Sequence, residues 1–332
     1  MKKNIAGFGE GVNGLGYNVP MGYVISIDIG GTHLRAAVYA PDSQSPVQHQ
    51  RIPSHASGEK VFDRLVKLVN SVWPRDDVVD AIGVSAPGPL DPHSGIVMTT
   101  PNIKEWRDFP LAALLTERFG VPAYLNNDAN LAGLAEWKFG AGRGHHNVLY
   151  LTISTVVGGG VIIDDRLLQG HHGLAAELGH VTVDASRSAP LCGCGFRGHL
   201  ESFSSGTGIE HFVADELAAG KKSSLTGKPT ASKIAEAAMQ GDKLARKAFA
   251  RAGEYLGIGV ANYLHIFDPS IVIFGGGVAS SGSLIFEPFE VSLHKHVIHP
   301  YYLKGLVITQ AELGDDAGLL GALALAKLKA AS

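Results

Sequence analysis

Cysteines are few, long apolar runs are missing and basic charge is not in excess, and each shortage removes a class of protein. Only two cysteines occur in 332 residues, Cys192 and Cys194. A single intervening residue makes a structural disulfide between them geometrically poor, so a disulfide-stapled scaffold is excluded and metal binding is the more natural use of the pair. No stretch reaches the about 18 apolar residues of a membrane-spanning helix, and the N-terminus lacks the charged, apolar and small-residue regions of a secretory signal. A cytoplasmic protein without a membrane partner is expected. Lysine and arginine number 28 against 31 acidic residues, a formal net charge of -3. No basic face argues for nucleic acid, and a small neutral or anionic ligand is the better expectation. Low-complexity tracts and short-period repeats are also missing.

The chain is 45% hydrophobic and 18% charged, enough to bury a core in one large domain or two medium ones. Its 42 glycines cluster in short runs, the pattern of backbone that approaches something closely. Residues 1–21, with Gly7, Gly9, Gly11, Gly14 and Gly16, show no period and read as an N-terminal extension. Alternation and apolar runs then predict strands at 23–29, 34–39, 79–84, 123–126 and 271–274, with a hairpin of 148–154 and 160–163 around a glycine-rich turn. Helical spacing covers 59–73, 111–119, the segment from about Ala129 through Lys138, 243–265 and 318–329. Strands and helices alternate twice over, which predicts an α/β protein of two lobes with a cleft between them.

Three constellations carry chemistry. In Asp28-Ile29-Gly30-Gly31-Thr32, paired glycines let backbone N–H groups close on phosphate oxygens and the acid can organise a hydrated Mg²⁺; a plain hairpin turn is the bland alternative. Two further glycine sites, 152–160 and Gly275-Gly276-Gly277, also follow strands. The second constellation, Asn126-Asn127-Asp128-Ala129-Asn130, sits at a strand-to-helix junction, where ligands of open α/β sheets bind. Asp128 there is the candidate general base, with a helix cap as the alternative role. The third joins Glu177 and His180 to Cys192, Cys194, His199 and Glu201. Two thiolates and two imidazoles suffice for a closed tetrahedral zinc site, although the cysteines could instead be buried thiols with unrelated histidines.

Taken in order, Asp28-Ile-Gly-Gly-Thr32, Ala86-Pro-Gly-Pro89, Asn127-Asp-Ala-Asn130, Glu177-x-Gly-His180, the Cys192-Gly-Cys-Gly195 block with Glu201, and Phe274-Gly-Gly-Gly277 resemble the ROK family of sugar kinases and repressors. The resemblance runs from about Gly22 to the C-terminus. It implies a two-lobed actin/hexokinase-like, ribonuclease-H-like fold, with a smaller lobe of 22–127 plus 317–332 and a larger lobe of 128–316 that carries the zinc loop. It implies an ATP-dependent sugar kinase, moving the γ-phosphate to the 6-hydroxyl of a hexose such as glucose. Asp128 then resembles the catalytic base, and Asn127, Glu177, His180 and Glu201 the hydroxyl-binding set, with the backbone at Gly88 lining the same pocket. ATP with Mg²⁺ is expected against Asp28, Gly30, Gly31 and Thr32, against Thr155 and Gly158 of the second loop, and against Gly275, Gly276 and Gly277. Structural zinc is expected on His180, Cys192, Cys194 and His199, with His180 serving metal and sugar at once. A homodimer or higher homo-oligomer is also implied.

Two residues depart from the family pattern. His199 stands where a third cysteine is usual, turning a three-Cys, one-His site into two-Cys, two-His. Val156 stands where the second phosphate loop usually has glycine, and a β-branched residue resists positive φ and adds bulk beside the phosphates. Val156 makes a sugar sensor without turnover one alternative, and an N-acetylhexosamine kinase acting on GlcNAc or ManNAc is another, because the same hydroxyl-binding motifs would fit those sugars. A repressor is set aside because only residues 1–21 precede the first strand, where that class carries a DNA-binding helix-turn-helix. His145-His146 and His171-His172 are read as solvated loop residues, Asp315-Asp316 receive no catalytic part, and Arg35 is read as a charge on an edge strand.

Overall fold

A computed structural model describes residues 22–100 and 102–331; the expected extension, 1–21, lies outside the described residues. The first half of the chain runs β1 (Tyr23–Ile29), β2 (His33–Tyr39), β3 (Gln48–Pro53), α1 (Val61–Val72), β4 (Val79–Ala86), the short strands β5 (Leu90–Asp91), β6 (Ile96–Thr99) and β7 (Arg107–Phe109), α2 (Leu111–Phe119) and β8 (Ala123–Asn127). It continues through α3 (Asp128–Phe139), β9 (Val148–Ile153), β10 (Val157–Ile163), β11 (Arg166–Leu167), α4 (Glu201–Ser204), α5 (Gly206–Ala218), α6 (Ala231–Met239), α7 (Lys243–Phe267), β12 (Ile271–Gly275), α8 (Ser283–His296), β13 (Val307–Gln310) and α9 (Ala317–Ala330).

Two sheets have the same plan. The first is ordered β3-β2-β1-β4-β8 and the second β11-β10-β9-β12-β13. In each, three strands form an antiparallel meander and two more add in parallel on the far side of the first. This repeated topology, with a cleft between the sheets, is the actin/hexokinase-like arrangement. The central parallel strands β4 and β12 are buried almost throughout, as strands covered on both faces must be. Helix α1 buries Val61, Leu65, Leu68, Val69 and Val72, an apolar stripe of helical period. Helices α3 and α9 pack against each other between the sheets, and α9 is accordingly apolar on nearly all sides, burying Leu319 to Ala326 without a break.

Several expectations are corrected. The glycines 158–160 are inside β10, paired with Tyr150 to Thr152, so the turn of the second hairpin is Ser154-Thr155-Val156. Arg35 lies in β2, which has β1 on one side and β3 on the other and is not an edge strand. The cap of α3 is Asn127, whose Oδ1 accepts from the N–H groups of Ala129 and Asn130 at 2.9 and 3.4 Å, so that Asp128, which shares the Ala129 N–H through Oδ1, keeps its other oxygen for another role. Strand β3, the small β5-β6-β7 sheet, and helices α5, α6 and α8 were not anticipated. His145 and His146 are surface residues with partners, Ser270 and Asp165, through their Nδ1 atoms.

Candidate active site

Asp128 is the first residue of α3 and projects into a cleft of about 590 Å³ between the two sheets. Solvent reaches its carboxylate through the mouth of the cleft, but protein surrounds it on the other sides. That enclosure, reinforced by the negative charges of Asp28 and Glu177 and opposed by the Ala129 N–H, pushes its carboxyl up to about 6. A carboxylate tuned in this way is a competent general base near neutral pH. Asp28, Gly158, Gly275, Gly276 and Gly277 line the same cleft, as do Glu136, Tyr150 and Arg35, none of which the sequence had marked as catalytic.

Three turns stand around this space: Ser154, Val156 and the glycines Gly275, Gly276 and Gly277 line it, whereas the expected Gly30, Gly31, Thr32 and Thr155 are not among its lining residues. In the first, buried Ser54 holds the Gly30-Gly31-Thr32 turn from behind: its hydroxyl donates to the Gly30 carbonyl at 2.6 Å and its N–H to the Thr32 carbonyl at 2.8 Å. In the second, the Ser154 carbonyl accepts from Gly206 N–H at 2.7 Å, the Thr155 carbonyl from the Thr207 hydroxyl at 2.8 Å, and the Val156 carbonyl from Ser154 N–H at 2.9 Å. With its carbonyls committed, this turn keeps the N–H groups of Thr155 and Val156 without a partner among the described residues. Val156 is 51% exposed and lines the cleft. It is not among the described residues with positive φ, so the expected backbone strain is absent and only the bulk of its side chain remains. The third turn needs its glycine: Gly276 has φ 89°, and a Cβ there would collide with the Ile153 carbonyl oxygen. Ser154, Gly277 and Ser280 also line an adjoining depression of about 520 Å³, whose wall includes Glu210, Ser232 and Phe249.

The other expected residues approach from the side. A Cβ on Gly88 would lie 3.0 Å from Asn127 Nδ2, placing that loop against the start of α3. Glu177 precedes the 3₁₀ turn Leu178–His180, and its charge is felt at Asp128. The fully buried Tyr263 of α7 anchors this turn by donating its hydroxyl to the Leu178 carbonyl. Glu201, at the start of α4, accepts from Val157 N–H at 3.1 Å through Oε2 and from the Cys192 thiol at 3.3 Å through Oε1. It thereby ties the cysteine loop to β10, the strand that follows the Ser154-Thr155-Val156 turn. Asn102 was not anticipated: a Cβ on Gly31 would lie 2.5 Å from its Nδ2, so its amide stands over the first turn.

The ligand atoms of His180, Cys192, Cys194 and His199 all lie within 4.8 Å of one another. Cys192 Sγ is 3.7 Å from His180 Nδ1, and Cys194 Sγ is 3.2 Å from His199 Nδ1. Ligands of a tetrahedral zinc are about 3.5 Å apart, so the set fits that ion. The strandlike bridges Thr182–His199 and Leu191–Arg197 bring the four together across the loop.

A wider groove of about 1190 Å³ runs between α7 and α8 past Arg251 and Pro288 and holds none of these residues.

Residues 24–329 match the ROK family. This chain belongs to the ROK family. Among its relatives, the glucokinase of Thermotoga maritima is 35% identical over 311 residues, covering 92% of this chain and 97% of that protein. The solved ROK hexokinase of Thermus thermophilus superposes with a TM-score of 0.79 at 34% identity, covering 93% of this chain and all (100%) of that one. A ROK family glucokinase of Streptomyces griseus, solved with glucose and AMPPNP, gives a TM-score of 0.73 at 32% identity over 92% of this chain and 100% of that one.

Proposed function

We propose that this ROK protein is an ATP-dependent hexokinase that phosphorylates the 6-hydroxyl of glucose. The observation that carries the reading is Asp128: a carboxylate raised to about 6, in a cleft that it shares with Asp28 and with the turns at Ser154–Val156 and Gly275–Gly277. Likeness to glucokinases over most of the chain supports it.

Asp128 takes the proton of the attacking hydroxyl, while Asn127, Glu177, His180, Glu201 and the backbone at Gly88 hold the other hydroxyls and fix its direction of attack. The N–H groups of Thr155 and Val156, and the turns at Gly30–Thr32 and Gly275–Gly277, receive the phosphates, and the adjoining depression receives the nucleoside. Asp28 is the residue for the donor's hydrated Mg²⁺, which supplies charge neutralisation at the transferred phosphoryl group. Zinc on His180, Cys192, Cys194 and His199 braces the loop that delivers His180 and Glu201 and takes no part in the chemistry. The smaller lobe, 22–127 with 317–332, and the larger, 128–316, close on the two substrates to exclude water. The protein works as a homo-oligomer.

The test is phosphorylation of a panel of hexoses and N-acetylhexosamines, with ADP and sugar phosphate both measured. Turnover on glucose in preference to the others is expected. Preference for GlcNAc or ManNAc would change the substrate. Val156 favours one second reading, a sugar sensor, and sugar binding without turnover on any member of the panel would establish it in place of the kinase.

A further inference from the structure

Arg35 is not explained by the assignments above. It lies directly opposite Asp28 in the β1–β2 ladder, and its guanidinium points into the cleft, with its side chain 24% exposed and that of Asp28 14%. Two of its N–H groups converge on a single oxygen: Nε and Nη2 donate to Asp28 Oδ2 at 2.9 and 2.7 Å. The third contact is made by Nη1, which donates to the Asp315 carbonyl at 2.6 Å. Asp315 belongs to the short 3₁₀ turn Gly314–Asp316 that leads directly into α9. Asp28 Oδ1 accepts no hydrogen bond from any described residue, and a Cβ on Gly318 would come within 2.5 Å of it. The carboxylate therefore sits at the cleft wall between a cation and the bare backbone of α9, with Oδ2 committed to Arg35 and Oδ1 packed beside Gly318 without a hydrogen-bond donor among the described residues.

An aspartate that serves a hydrated cation needs a defined oxygen facing the donor, and it must not itself repel the donor's phosphates. Arg35 meets both needs. Its planar fork offsets part of the charge of Asp28, commits one of the two oxygens, and locks the strand pair to the turn that enters α9.

We propose that Arg35 is a positioning residue of the phosphoryl-transfer site, holding Asp28 Oδ2 and the Asp315 carbonyl so that Oδ1 of Asp28 is reserved for the donor's hydrated magnesium. The inference rests on the kinase reading above. It separates from that reading because it concerns how magnesium strengthens nucleotide binding, which is measured without turnover.

The experiment is calorimetric titration of the full chain with AMPPNP, with and without Mg²⁺. The wild type is expected to bind more tightly with magnesium; failure of the wild type to bind in either condition would refute the kinase reading itself. Arg35→Gln is expected to lose most of that magnesium enhancement, about tenfold in affinity, with magnesium-free binding unchanged. In turnover it raises the donor KM and leaves the sugar KM alone. Arg35→Lys, which can still pair with Asp28, restores most of the enhancement, and Asp28→Asn loses it as Arg35→Gln does. An enhancement intact in folded Arg35→Gln or in Asp28→Asn overturns the proposal. So does a fall in magnesium-free binding of Arg35→Gln equal to the fall with magnesium, because the guanidinium would then be contacting phosphate itself.

Discussion

Replacing Asp128 by asparagine separates catalysis from stability in opposite directions. Asparagine keeps an oxygen for the Ala129 N–H, which Asp128 Oδ1 now accepts at 2.8 Å, and leaves the Asn127 cap intact. It cannot take a proton, so turnover should fall by about 10² to 10⁴. The folded protein holds the Asp128 proton to about pH 6, against an ordinary value of 3.8. Protonation therefore favours the folded state below about pH 4, and that advantage is lost as the pH rises through about 6. Above that, the wild type bears a charge it accommodates badly. Two units are at most about 3 kcal/mol, and solvent at the cleft mouth reduces the measurable part to about 1 kcal/mol. Asp128→Asn should thus melt about 2 °C higher than wild type at pH 8, with the gap closing by pH 4. Wild-type kcat should meanwhile fall on the acid side with a midpoint near 6. Thermal melts at the two pH values and a pH–rate profile measure both effects. A variant that is less stable at pH 8, or that retains turnover, refutes the assignment of Asp128 as an enclosed general base.

Chelation of zinc, or Cys192→Ser, should lower the melting temperature by an amount equivalent to about 3 kcal/mol at metal concentrations a hundredfold above Kd, and should raise the sugar KM because Glu201 and His180 ride on the same loop. Metal analysis that finds no zinc in the purified protein removes this claim. Gly276→Ala should destabilise by about 1 to 3 kcal/mol and raise the donor KM, since alanine must adopt φ 89° and meet the Ile153 carbonyl; denaturant unfolding measures the first effect. Val156→Gly should lower the donor KM without altering stability by more than about 1 kcal/mol, and an unchanged donor KM would show that the isopropyl group does not touch the donor.

The sheets were legible in the sequence where burial leaves a pattern. Strands such as β1 and β12 are short, largely apolar runs that meet glycine at their ends, and α1 carries its stripe at helical spacing, so their positions follow from the local pattern. Strand β3 reads Gln-His-Gln-Arg-Ile-Pro and is exposed along nearly its whole length; it is a strand because β2 offers it a hydrogen-bonding edge, which no local pattern records. The site divides in the same way. Asp128 and the glycine turns were visible because they are adjacent in sequence. Ser54, Glu136 and Tyr263 were not: each supports the site through a backbone partner far along the chain, as Glu136 does in accepting from the Leu313 N–H at 2.8 Å.

Val156 shows why a missing glycine has to be read for its cause. Glycine is required either because φ is positive or because a neighbour occupies the space of a Cβ. At Gly276 both reasons hold. At Val156 the first fails, since the turn closes without positive φ, and the carbonyls of residues 154–156 are drawn away by Gly206, Thr207 and Ser154 whatever the side chain. An anion bound there would be held by N–H groups, which valine supplies as well as glycine does. The substitution therefore bears on how much room the donor has beside the turn, and the donor KM of Val156→Gly is where its effect should be found.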